Sequence, residues 1–170
     1  MSPCVLWIDE IEKGISTGSY DSGTSQRLLA TMLTWMAENE KPVFIVATAN
    51  NIEALPPELI RKGRLDEIFF VDLPSAETRE EIFRIHLQKR NVDPKKIDIV
   101  ALSELTEGFS GAEIEQVVVS ALYNAYGKQQ TMSVELLTDE IKKTQPLSVV
   151  MKESISQLQH WAKDRTVMAN

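Results

Sequence analysis

Near the start of this chain, Pro3-Cys4-Val5-Leu6-Trp7-Ile8 runs apolar without interruption and stops at Asp9-Glu10. A short apolar run without polar alternation is the pattern of a strand buried on both faces, as in a parallel sheet. A second run covers Pro42 to Ala49, and a third strand is expected over Glu67 to Leu73. Between the first two lies a Gly/Ser/Thr-rich stretch, Gly14 to Gly23, which reads as a mobile loop. Thr24 or Ser25 then caps a helix running to about Asn39, in which Leu28, Leu29, Met32, Leu33, Trp35 and Met36 recur at three and four residues. A short proline-bounded helix, Pro57 to Lys62, leads into the third strand. Strand and helix alternating at this spacing predict βαβ units on a parallel sheet, with Cys4, Trp7 and Trp35 in or near its core.

After Pro74 the grammar changes. Helical patterns fill Ala76 to Lys89, Ile97 to Leu105, Gly111 to Tyr126, Ser133 to Thr144 and roughly Val149 to Lys163. Ser110 is positioned to cap the third of these, with Glu113 three residues on as its capping-box partner. The fold class is therefore α/β, with a boundary between Pro74 and Ser75. Residues 1–74 form the α/β part and 75–170 an all-helical part.

Composition narrows the function classes. The chain carries a net charge of −7, and its one notable basic cluster is Arg61, Lys62 and Arg64, which disfavours autonomous binding of duplex nucleic acid. Its apolar runs fall far short of a bilayer span, and no basic segment precedes an apolar one as in a secretory signal. The single Cys4 cannot form an internal disulfide, which suits a reduced, cytosol-like compartment. His86 and His160 are isolated from each other and from any cysteine cluster, so no structural metal site is expected.

Three elements carry chemistry. Ligands of open α/β sheets bind beyond the carboxyl ends of the strands, which is where Asp9-Glu10 falls. There Asp9 suits Mg²⁺, directly or through water, and Glu10 suits a water attacking a γ-phosphate; a solvated strand end fits the same pair equally well. Asn50, at the end of the second strand, could orient that water through its amide, or serve as a turn residue. Arg61 and Arg64, with Gly63 between them, suit two guanidinium forks projecting from one edge toward a transferring phosphoryl group, or an ordinary exposed pair.

Together these elements form a specific constellation, with Asn50 eleven residues before Arg61 and fourteen before Arg64. The segment ATANNIEALPPELIRKGRLD, residues 47 to 66, resembles the second region of homology of the AAA ATPases, within the AAA+ superfamily. The resemblance implies a P-loop-NTPase-type sheet followed by a helical lid, with Mg²⁺-dependent ATP hydrolysis in a ring, expected to be a hexamer. It assigns Asp9 to the metal, Glu10 to catalysis and Asn50 to sensor 1. Arg61 and Arg64 become arginine fingers acting on a neighbouring subunit. In the helical part Ile85-His86 matches a lid dipeptide near the adenine and ribose. Gly108-Phe109-Ser110-Gly111-Ala112-Glu113 matches the GFSGAD-like turn of the sensor 2 helix, where the backbone of Gly111 and Ala112 faces the nucleotide.

The tail, including Thr144 to Ser148 and Gln159 to Ala162, is similar to AAA ATPases encoded in algal plastids and cyanobacteria. A cytoplasmic location follows, or the plastid stroma for an algal source. Three departures stand out: no Gly-x-x-x-x-Gly-Lys-[Ser/Thr] occurs, Asn51 stands where Arg is frequent, and Lys62 where Pro is usual. The resemblance places the strand of the phosphate loop between the second and third strands here. An upstream half is thus expected to be missing, leaving edges that close by rearrangement or by self-association. By itself the chain would then be inactive. The alternative reading is a nucleotide-incompetent interaction or oligomerisation module, with a protein substrate or adaptor as possible partner.

Overall fold

The first two apolar runs pair as expected: β1 (Cys4–Ile8) and β2 (Val43–Ala47) lie parallel, in register from Cys4 opposite Val43 to Ile8 opposite Ala47. Parallel strands need a crossover connection, and this one contains α1 (Ile11–Ile15) and α2 (Ser22–Glu38). The computed structural model describes residues 2–15, 22–61 and 63–169, with the backbone alone at Ser22 and Thr24. Of the loop expected over 14–23, residues 16–21 therefore lie outside the described residues. Helix α2 begins at Ser22, so Thr24 and Ser25 stand in its first turn rather than capping it.

Contacts divide the chain into two units, Met1–Ile68 and Phe69–Asn170. In the first, Ile11, Ile15, Leu55 and Leu59 form a small buried cluster. Leu29, Met32, Leu33 and Met36, one stripe of α2, pack against it together with Ile8 and Ala47 at the strand ends. A short 3-10 turn, Ile52–Ala54, and the four-residue helix α3 (Pro57–Ile60) supply the rest.

The strands are not buried on both faces. Val5 and Trp7 are 67% and 62% exposed, and Phe44, the register partner of Val5 and so on the same face, is 69% exposed. Cys4 is exposed as well, and Trp35 sits at the surface rather than in the core. A doubly apolar strand requires a layer on each side; of the strand residues, Ile8 and Ala47 at the carboxyl ends pack against the buried cluster.

The third expected strand is corrected too. It shortens to β3 (Phe69–Phe70) and joins a different sheet, paired in parallel with β4 (Val167–Met168). Backbone groups of an extended segment need partners. The apolar Val167–Met168 supplies them, and the Ala169 N–H donates to the Phe70 carbonyl at 2.9 Å.

The helical unit contains α4 (Ala76–Lys89), α5 (Ile99–Leu105), α6 (Gly111–Gly127), α7 (Val134–Lys143), α8 (Leu147–Val150) and α9 (Lys152–Ala162). The last two were expected as one helix, but the chain breaks at Met151. Ser75, Asp98, Ser110 and Ser133 each cap a helix by accepting a backbone N–H. The Ser110–Glu113 capping box is present as anticipated.

The core is continuous across four helices. Phe83 and Leu87 of α4 meet Leu102 of α5, Ile114, Val117, Val118 and Ala121 of α6, and Leu137 and Ile141 of α7. Fully burying side chains of this kind is worth about 1.5–3 kcal/mol each. Arg79, 7% exposed, is a buried cation of the unit. Its Nε and Nη2 donate to the Ser103 carbonyl at 3.0 and 2.9 Å, and its Nη1 to the Pro74 carbonyl at 2.9 Å, which fixes the start of α4 against the end of α5.

Candidate functional site

The carboxyl ends of β1 and β2 are stitched together through Thr48. Its N–H donates to the Ile8 carbonyl, and its own carbonyl accepts from the Ile11 N–H, both at 2.9 Å. Its hydroxyl donates to Asp9 Oδ1 at 2.5 Å and accepts the Glu10 N–H at 3.0 Å. One side chain thereby holds both acidic residues at the strand end. Glu10 has a φ of +48°, left-handed backbone that residues other than glycine seldom adopt. This turn directs the chain from β1 into α1.

Glu10 Oε1 accepts from the Asn50 amide Nδ2 at 3.0 Å, so the two water-handling candidates are in direct contact. Glu10 Oε2 takes the Lys13 ammonium at 2.5 Å. That hydrogen bond, and the negative charge of Glu10 behind it, raise the Lys13 pKa above its ordinary value. The Asn50 backbone is held separately: its N–H donates to Glu12 Oε1 at 3.0 Å. Glu12 is 6% exposed, and its Oε2 has no hydrogen-bond partner among the described residues.

The arginines do not project together as the sequence suggested. Arg61 is exposed and makes no side-chain hydrogen bond among the described residues. Arg64 is half-buried, and its Nη1 donates to the Leu33 carbonyl of α2. Gly63, with a φ of +91°, provides the turn between them. Lys62, one of the departures noted above, lies outside the described residues.

The remaining three candidates belong to the helical unit. His86 Nδ1 lies 3.2 Å from Arg90 Nη1 and 3.3 Å from Glu115 Oε1, which also accepts Arg90 Nη2 at 2.8 Å. The hydrogen bond from Arg90, foremost, holds the Glu115 carboxyl below the usual carboxylate range. Gly111 opens α6 where an added Cβ would lie 3.5 Å from Ile82 Cδ1, ordinary contact with α4, and Ala112 follows it in the first turn.

Comparison with known proteins decides the family. The model of the ATPase family associated with various cellular activities (AAA) matches residues 1–73, and that of the AAA+ lid domain residues 96–139. The chain belongs to the AAA family. An uncharacterized AAA domain-containing protein ycf46 of Gracilaria tenuistipitata var. liui is 52% identical over 164 residues, 95% of this chain and 33% of that protein. The ycf46 protein of Guillardia theta is 43% identical over 167 residues, again 95% of this chain and 33% of that protein. The proteasome-activating nucleotidase of Aeropyrum pernix is 40% identical over 131 residues, 73% of this chain and 32% of that protein. The chain thus spans about a third of the length of the curated relatives it matches.

Within this AAA chain, sequence reasoning overlooked two residues of the acidic cluster. Thr48 looked like one more strand residue, and only its place directly opposite the Asp9-Glu10 strand end gives it a role. Glu12 offered a signal: an acidic side chain three residues after Asp9, between Ile11 and Ile15 of a buried helix face. A carboxylate among apolar neighbours needs a donor, and the Asn50 N–H is that donor.

Proposed function

We propose that this chain supplies the acidic strand, sensor asparagine, arginine fingers and lid of a Mg²⁺-dependent ATP-hydrolysing AAA protein. The observation that carries the reading is the 3.0 Å bond from Asn50 Nδ2 to Glu10 Oε1 at the joined strand ends. An amide and a carboxylate converging beside Asp9 are suited to orient one water and accept its proton. The exposed Asp9 carboxylate is a hard oxygen donor of the kind Mg²⁺ takes, and the ion when bound would neutralise phosphate charge. His86, Gly111 and Ala112 are the nucleotide contacts on the lid. Arg61 serves the site of a neighbouring copy in a ring, a hexamer in this reading. Arg64 joins it after releasing the Leu33 carbonyl.

No described helix is long and apolar enough to cross a membrane. The working location in this reading is the cytoplasm or a plastid stroma, and the ring acts on a protein substrate or through an adaptor.

No phosphate-cradling motif is present in these 170 residues, so the reading assigns tight nucleotide binding to a longer protein. A second reading applies to the chain by itself: a nucleotide-incompetent module that associates through its strand pair. The exposed Val5, Trp7 and Phe44 favour it.

One experiment with two arms tests both. Glu10→Gln in the full-length gene product should lower ATP turnover about 10²-fold or more while ATP still binds, as expected for loss of a general base. Undiminished turnover would end that role for Glu10. Calorimetric titration of Mg²⁺–ATP into the 170-residue chain should give no saturable heat; clear binding would refute the second reading.

A further inference from the structure

Beyond the residues matched by the lid model, the chain folds back on the turn that opens α6. Gly108 there has a φ of +77°, and a Cβ added to it would lie 2.1 Å from Ser148 Oγ. The Ser148 N–H points at the Gly108 carbonyl, a long contact of 3.4 Å. The firmer link is Glu113. Its Oε2 closes the capping box, accepting the Ser110 N–H at 2.7 Å and the Ser110 hydroxyl at 2.8 Å, while its Oε1 accepts the Leu147 N–H at 2.8 Å. The N–H of Leu147 is a first-turn donor of α8 with no partner inside its own helix. One carboxylate therefore serves two helix starts.

The same tail is anchored at its far end. Gln159 Nε2 donates to both oxygens of Asp72, at 2.9 and 3.0 Å, and β4 pairs with β3. Both tail motifs singled out in the sequence, Thr144 to Ser148 and Gln159 to Ala162, thus lie in a brace. The brace runs from the Gly108–Glu113 turn to the strand that leads into the helical unit.

We propose that Glu113 and the strap Pro146–Ser148 are positioning residues for the Gly111–Ala112 turn, acting through the Leu147 N–H. The proposal rests on the reading that this turn contacts nucleotide. Its chemistry requires an ionised carboxylate. Gln offers one acceptor oxygen and cannot close the capping box and receive the Leu147 N–H together. Asp, found in the resembling GFSGAD turn, is one methylene shorter.

The test deletes a single N–H. Leu147→Pro removes it where proline is well accommodated, at the first position of a helix after a residue with φ −64° and ψ 144°. Leu147→Ala keeps the N–H and alters only the side chain. In the 170-residue chain, Leu147→Pro should speed amide hydrogen exchange across Ser110–Ala112 by about tenfold, the scale of one hydrogen bond to a charged group. Leu147→Ala should leave it unchanged. In the full-length protein, Leu147→Pro should raise KM for ATP by several fold with kcat within about twofold.

Glu113→Gln should act in the same direction as Leu147→Pro, and the double variant should be no worse than the stronger single one. Equal exchange in Leu147→Pro and Leu147→Ala overturns the proposal. So does additive behaviour of Glu113→Gln with Leu147→Pro; should the proline variant be poorly folded, wild-type exchange across Ser110–Ala112 in Glu113→Gln alone overturns it. A full-length wild type without ATPase activity would defeat the functional reading alone, and the exchange data would then decide the strap.

Discussion

The two units bury their apolar residues very differently. In the helical unit one cluster joins α4, α5, α6 and α7, with Phe83, Leu87, Leu102, Ile114 and Leu137 fully buried. In the α/β unit the buried cluster is Ile11, Ile15, Leu55 and Leu59, while the strand residues Val5, Trp7 and Phe44 face outward. Both segments are rich in apolar residues, so hydrophobic content alone does not make a core. Four amphipathic helices can bury their stripes on one another. A two-stranded parallel ribbon has a second face that must be covered by another layer. The acidic cluster resides in the α/β unit, held by polar contacts among Thr48, Asp9, Glu10, Glu12 and Asn50 rather than by packing density.

The largest effect should come from the dense core. Phe83→Ala should destabilise the helical unit by about 3–5 kcal/mol in denaturant unfolding, the range for emptying a buried aromatic site. A loss below about 1 kcal/mol would mean that the helices pack loosely and that the contrast between the units is overstated. Trp7→Ser tests the other side and should change unfolding free energy by no more than about 0.5 kcal/mol, as for a surface position. Before substitution, Trp7 fluorescence should be readily quenched by iodide. Protection from quenching that disappears on dilution would reveal a second copy covering the ribbon, which sharpens the comparison rather than removing it.

The smallest effect concerns pH. Because the folded-state pKa of Glu115 is lowered, chiefly by the Arg90 hydrogen bond, its contribution is present above the ordinary carboxylate value of about 4. It is lost as pH falls through the lower folded value. Thermal stability of wild type should therefore drop more than that of Glu115→Gln between about pH 5 and pH 3. Parallel curves would show that the Arg90–Glu115 contact contributes nothing in solution.

Local rules carried far in the helical unit. The 3.6-residue period marked α4 to the residue, and Ser110 followed by Glu113 announced a capping box that is present atom for atom. At the candidate site, the Asp9-Glu10 strand end and Asn50 were legible because short-range pattern places them at strand termini. Pairing partners were not legible. Nothing in Glu67 to Leu73 distinguishes a third strand of the β1–β2 sheet from a two-residue strand beside Val167–Met168, since strand pairing is decided by distant segments. Thr48, Glu12 and Leu147 escaped notice for a related reason. Each acts through a contact across 34 to 39 residues of sequence, which no local pattern encodes.

The β3–β4 pair has a topological consequence. Phe70 and Met168 are register partners, so the path into the helical unit and the path out of it meet at one place. The intervening helices form a closed loop, fastened at this strand pair and at the neighbouring Asp72–Gln159 contact. Residues inserted at the Gln129–Thr131 turn, away from both fastenings, should leave the spacing of the two ends untouched.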